Sequence, residues 1–158
     1  MQALLNAIAQ MAKTADACRV FHGRGGLYPG CEHWTLDWFA PVWVLTSFKP
    51  VSEDELALCH QPLAQRWETL SPGEPLNWVF QCRAPGEAQT RLMAGSVPEL
   101  HVVTEQGAQY LVHVMRGQNH GLFLDMANGR EWLKRHALHE NILNLFAYTC
   151  AFSVVALQ

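Results

Sequence analysis

The stretch HWTLDWFAPVWVLTSF, residues 33 to 48, limits the fold more than any other part of the chain. Its residues alternate with the two-residue period of a pleated strand and are dense in aromatics. Pro41 has no N–H to give a ladder and reads as a bend or an edge, so the stretch is one or two strands. Trp34, Leu36 and Trp38 then share one face. Tryptophans placed in this way more often form core or an interdomain interface than a base-stacking surface, although any base has a π-face that an indole can meet.

The neighbouring segments supply what such strands pack on. MQALLNAIAQMAK puts Leu4 or Leu5, Ile8 and Met11 at helical spacing, which predicts a short amphipathic helix. SEDELALCHQPLAQRWETL opens with Ser52 and has Glu55 three residues on. This is a capping box, and Pro62 is expected to kink or interrupt the helix it starts. LNWVFQCR reads as a strand, and ELHVVTEQGAQYLVHVM as a hairpin turning at Gln106 and Gly107. The glycine-rich CRVFHGRGGLYPGCEH and the later APGEAQTRLMAGSVP read as loops.

Composition removes several function classes. Of 158 residues, 49% are hydrophobic and 16% charged, so the chain can bury a core. A net charge of -3 leaves no bulk positive field for a polyanion, only room for a local basic face. Five cysteines at irregular spacing, with no leader-like start, read as reduced thiols in a cytoplasmic protein. No run approaches the roughly 18 apolar residues of a membrane span. Cys18, His22, Cys31 and His33 carry metal-ligand chemistry, but structural zinc sites space their ligands more closely and regularly, and no metal is assigned. GRGG at 23 to 26 is one copy of an arginine-glycine element, read as a hairpin loop with at most a weak RNA contact. His113 and His120 lack a companion acid or thiol at motif spacing and stay unassigned.

The end of the chain has a different rhythm. GQNHGLFLDMANGREWLKRH gives a loop, a short extended piece and a helix from about Asn128. NILNLFAYTCAFSVV then gives a buried strand over 141–147, a tight turn and the start of a helix. Strand, short loop and helix N-terminus is where open α/β sheets hold ligands, because the first N–H groups of the helix are unpaired. Any buried strand followed by a helix looks the same, so this pattern alone also fits plain core.

GQNHGLFLDMANGREW followed by NLFAYTCAFSV resembles, in order and residue types, the class I S-adenosylmethionine-dependent methyltransferases of the large-subunit ribosomal RNA type. ELHVVTEQGAQYLVHVMRG resembles the hairpin that precedes these motifs in that family. The resemblance implies S-adenosylmethionine as cofactor. It places Phe146, Ala147, Tyr148 and Thr149 in the first motif, beside the methionine part, and Phe123, Asp125 and Arg130 on the segment that closes the site. Arg130 is suited to pair bidentately with the cofactor carboxylate; without the resemblance it reads equally well as a surface partner of Glu131 or Asp125. Cys150 stands where the family pattern has a glycine, so a positive φ there falls on a residue with a side chain. Met126 and Ala127 replace a glutamine and an arginine.

The expected fold is α/β: an N-terminal α+β accessory region over 1–116, followed over 117–158 by the incomplete start of a Rossmann-like methyltransferase domain. The expected function is that of a truncated methyltransferase acting on RNA such as ribosomal RNA, with its catalytic residues beyond this chain, so that the chain alone is inactive. The alternative is a non-enzymatic RNA- or protein-binding module built on the tryptophan strands. An unpaired 141–147 strand implies self-association.

Overall fold

The computed structural model describes residues 1–158. In two neighbouring strands, β2 (Trp34–Phe39) and β3 (Val42–Ser47), every residue is buried. They form an antiparallel pair around Ala40 and Pro41, as the alternation and the proline predict. A pair buried on both faces must be covered twice, and the rest of the chain is arranged to do so.

A five-stranded sheet runs in the order β1–β2–β3–β4–β5, completed by β1 (Cys18–His22), β4 (Trp78–Cys82) and β5 (Gln89–Ala94). Only β3 and β4 are parallel; α2 (Glu53–Leu70) crosses between them. On one face Trp34, Leu36, Trp38, Trp43, Leu45, Trp78 and Phe80 pack against Leu4 and Ile8 of α1 (Gln2–Gln10) and against Leu56, Leu63 and Trp67 of α2. The Trp38 and Trp43 rings lie 4.3 Å apart. Trp34, Trp38 and Trp43 are thus core, and none of them offers a ring to a base or partner.

The second face is divided. Phe39, Val42, Val44 and Val79 meet Val103 and Tyr110 of a hairpin, β6 (Val102–Glu105) and β7 (Ala108–Leu111), together with Leu122, Leu124 and Ala151. The hairpin turns at Gln106 and Gly107, both at positive φ, as the Gln-Gly pair predicts. Toward the end of the strands where Thr35, Thr46 and Gln81 pair in register, the same face turns polar, and with Asp37 all four are buried. Arg19 of β1 donates twice to Asp37, at 2.8 and 3.2 Å. Burial still raises the Asp37 carboxyl above its usual range, against the pull of Arg19. The Gln81 amide nitrogen donates to the Val114 carbonyl and lies 2.7 Å from His120 Nε2.

Several expectations need correction. β1 and β5 form in segments read as loops: β1 buries only Phe21 and β5 has no buried residue, so neither carries an alternating apolar signal. They exist because β2 and β4 offer free ladder edges. The α2 capping box forms as expected, but the helix continues through Pro62. The carbonyl that Pro62 cannot engage belongs to Leu58, a residue 56% exposed, where water can take the bond. Residues 141–147 form no strand, since no other strand lies beside them to complete a ladder. Leu143 and Leu145 are 80% and 67% exposed. The chain goes on through α3 (Ala127–His136) to the expected turn and a six-residue helix, α4 (Ala151–Ala156). No helix is long and apolar enough to cross a membrane.

Burial, with Arg83 next in weight, pushes His120 down to about 4 from an ordinary 6.5. The neutral ring therefore contributes stability that is complete above pH 6.5 and is lost as pH falls toward 4, because only the unfolded chain takes up the proton in that window. We expect chemical denaturation to show on the order of 3 kcal/mol of acid-dependent loss over that range, and His120→Gln to flatten it.

Candidate functional site

α3 is fixed to the body of the protein by one buried ion pair. Arg130 is 1% exposed and donates to both carboxylate oxygens of Glu105, at 2.5 Å from Nε and 2.7 Å from Nη2. Nη2 also donates to the Phe123 carbonyl at 2.9 Å. The guanidinium thus joins α3, the end of β6 and the turn before α3 in one place. Neither surface partner suggested by the sequence, Glu131 or Asp125, is used. Two faces of the fork are committed to Glu105 and Phe123, so Arg130 serves as a positioning residue for the segment 123–126 and presents its side to the space beyond.

That space is closed by the segment 144–152. Phe146, Tyr148 and Cys150 all have positive φ, at 54°, 50° and 59°. For residues with a Cβ this conformation costs about 1 kcal/mol each and persists only where surrounding contacts enforce it. The positive φ at Cys150 is the one expected from its place in the glycine position. The enforcing contacts are specific. Tyr148 Oη donates to the Asn119 carbonyl at 2.8 Å and Thr149 Oγ1 to the Gly121 carbonyl at 2.5 Å. Asn144 Nδ2 donates to Ser153 Oγ, and Cys150 N–H to the Ala147 carbonyl. The 144–152 loop is therefore tied to the 119–123 segment by its own motif side chains.

Between the two segments lies a cavity of about 150 Å³. Six of the seven residues singled out in the sequence line it: Phe123, Arg130, Phe146, Ala147, Tyr148 and Thr149. The Phe123 and Tyr148 rings sit 5.2 Å apart, while the Phe146 side chain is fully exposed. Asp125 faces elsewhere, into the polar space under the sheet with Arg19, Asp37 and His120. Asn144, Leu145, Ala151 and Phe152 also line the cavity, and Glu105 and Asn119 hold its walls, although none of the six is a site residue expected from the sequence. Glu105 had no local signal, being 25 residues from its partner; Asn144 and Phe152 lay inside the quoted motif and could have been found.

The cavity is smaller than a whole ligand site. Ligand-sized pockets run from about 300 to 1,000 Å³, twice this volume or more. Its mostly apolar wall suits an apolar chain more than a charged group. Larger open clefts exist, including one of about 530 Å³ between α1 and β1, but its lining holds no Asp, Glu, Lys or Arg and none of the motif residues. Cys18, His22, Cys31 and His33 do not converge, and nowhere do three potential metal-binding His, Cys, Asp or Glu side chains come together.

Comparison with known proteins follows this geometry. The family model of S-adenosylmethionine-dependent methyltransferases matches residues 18–158. Ribosomal RNA large subunit methyltransferase I of Pseudoalteromonas atlantica is 32% identical over 71 residues, 45% of this chain and 18% of its own length. The Escherichia coli protein of that name is 26% identical over 144 residues, 90% of this chain and 36% of its own length. Ribosomal RNA large subunit methyltransferase K/L of Alteromonas mediterranea is 34% identical over 110 residues, covering 68% and 16%. A solved structure described as a SAM-dependent methyltransferase from Streptococcus mutans superposes with a TM-score of 0.69 over 99% of this chain and 42% of that one, at 22% identity. A likeness at that identity shows a shared fold, and the mixed α/β class holds. The chain spans between about a sixth and two fifths of the length of these proteins.

The ion pair makes a sharp mutational contrast. Glu105→Ala leaves the Arg130 guanidinium buried and unpaired, and we expect a loss of about 3–5 kcal/mol in urea denaturation. The double change Glu105→Leu with Arg130→Met removes both charges and should recover most of that loss.

Proposed function

The chain belongs to the S-adenosylmethionine-dependent methyltransferase family, whose cofactor is S-adenosylmethionine, and from that premise we propose that it supplies the first cofactor contacts of an enzyme that methylates large-subunit ribosomal RNA. The observation that carries the reading is the convergence of two separated motif segments, 123–130 and 144–152, on one apolar cavity. Phe123, Tyr148 and the backbone of Phe146 to Thr149 would hold the methionine end. Arg130 would keep the 123–126 turn in place and turn its Nη1 side toward the carboxylate. Asp125, on the far side of that turn, would act through its position and not through direct contact. When bound, the cofactor supplies a methyl group activated by its sulfonium.

In this proposal residues 1–116 are an accessory region and 117–158 the beginning of the cofactor-binding domain. The chain by itself transfers no methyl group, because a cavity of about 150 Å³ covers one end of the cofactor and leaves the rest unheld. The relatives' names, which specify ribosomal RNA, support RNA as substrate, and the free state of all five cysteines accords with work in the cytoplasm. The exposed apolar side chains of Leu143, Leu145 and Phe146 favour self-association through a surface, in place of the strand edge expected from the sequence.

Calorimetric titration with S-adenosylhomocysteine tests the reading. We expect saturable binding by the native chain, weakened about 5-fold or more by Thr149→Val, which cuts the tie to Gly121. Cys150→Gly should keep or improve binding and raise stability by up to about 1 kcal/mol, since glycine adopts its backbone conformation without strain. Absence of binding by the folded native chain would refute the placement of the methionine end in this cavity.

A further inference from the structure

The net charge of -3 conceals a concentration of unpaired positive charge on one side of the sheet. A cleft of about 540 Å³ lies between the β4–β5 end of the sheet and the turn Val114–Arg116. It is lined by Arg83 and Arg116, with Gln89, Thr90 and Gln118 beside them, and has no acidic residue. The volume is within the range of about 300–1,000 Å³ that ligand-sized groups occupy.

None of the arginines here is neutralised. Arg24, Arg83 and Arg116 take part in no ion pair, whereas Arg19, Arg91, Arg130 and Arg135 each do. Arg83 Nη2 is held by the side-chain Oε1 of Gln81 at 3.0 Å and by His120 Nε2 at 3.2 Å, both neutral groups, and its Nε is buried without a partner. The nearby Asp37 carboxylate is already bound twice by Arg19. Arg24 stacks on the Phe48 ring at 3.9 Å, and Arg83 stands 5.8 Å from the same ring. A partly buried guanidinium fork with free donors and no carboxylate matches a phosphate in both shape and charge.

The cleft is not isolated. Arg116 also lines a second groove of about 430 Å³ with His113, Asn119, Tyr148 and Thr149, again without an acidic residue. Tyr148 and Thr149 in turn line the proposed cofactor cavity. Arg83, Arg116 and Tyr148 therefore mark one track that runs from the edge of the sheet to the cofactor cavity.

We infer that this track binds a single strand of RNA, with successive phosphodiesters at Arg83 and Arg116 and the strand led toward Tyr148. The inference rests on the ribosomal RNA reading and adds to it a location on this chain. The amides of Gln89 and Gln118 can hydrogen-bond bases or sugars without contributing charge, which suits a strand more than an isolated anion.

The test is fluorescence anisotropy of a labelled single-stranded oligouridylate of about ten nucleotides, within the site sizes usual for such grooves. Titrations across a series of salt concentrations use the native chain, Arg83→Gln, Arg116→Gln and Lys13→Gln. Lys13 lies on the opposite sheet face, over Trp67, and removes the same charge elsewhere. We expect Arg83→Gln and Arg116→Gln each to weaken binding about 5–10-fold and to reduce the slope of log affinity against log salt by about 0.7, the value for one phosphate of a single strand. Lys13→Gln should change neither.

Equal effects in all three variants, or none in Arg116→Gln, whose exposed side chain can be changed without disturbing the core, would overturn the track. So would displacement of the oligonucleotide by an equimolar amount of inorganic phosphate, which would make the site one for an isolated anion. Titration of the same variants with S-adenosylhomocysteine separates the two proposals: cofactor binding with an oligonucleotide insensitive to Arg83 and Arg116 removes the track alone, and loss of cofactor binding by the native chain removes the cofactor reading alone.

Discussion

The structure depends on burying β2 and β3 on both faces. Two adjacent six-residue strands with no exposed residue cannot be satisfied by one layer of helices, and α1 and α2 cover only the tryptophan face. The other face, half apolar and half polar, needs a second layer, and the hairpin and the segment 112–124 provide it. This second layer carries Phe123 and the carbonyls of Asn119 and Gly121 to where the 144–152 loop can reach them. The apolar strip of the sheet thus positions the site, although no residue of β2 or β3 lines the candidate cofactor cavity.

The buried pair of Arg130 and Glu105 then sets the geometry. An ion pair at 1% and 5% exposure is weak evidence for net stability, since desolvation offsets much of the attraction. Its value is directional: a guanidinium bound at three points fixes α3 relative to the hairpin and to the Phe123 turn. The strain of three left-handed residues between 146 and 150 is held against this fixed frame. Two hydroxyl hydrogen bonds, from Tyr148 and Thr149, connect the strained loop to it.

Much of this was legible in the sequence, and the failures share a cause. The tryptophan strands, the capping box at Ser52, the Gln106–Gly107 turn and the motif pair follow from the sequence because each is a local pattern: a period, a spacing or a turn dipeptide. β1 and β5 were missed because they are made by their neighbours' free edges, a long-range cause with no local signature. The 141–147 strand was predicted from an apolar run, yet a strand is defined by its ladder, and none is offered there. Glu105 and the unpaired state of Arg83 likewise depend on what the fold brings together. The site residues of the motif lie around one cavity, except Asp125, whose place two residues before the start of α3 turns it to the other side.

The segments 119–130 and 144–152 are proposed to form one ligand-binding unit. Hydrogen exchange followed by mass spectrometry, with and without saturating S-adenosylhomocysteine, tests it most directly. We expect exchange to slow in both segments together and to stay unchanged in α1 and in the cleft between α1 and β1. Protection confined to α1 and β1, or to only one of the two segments, would contradict it.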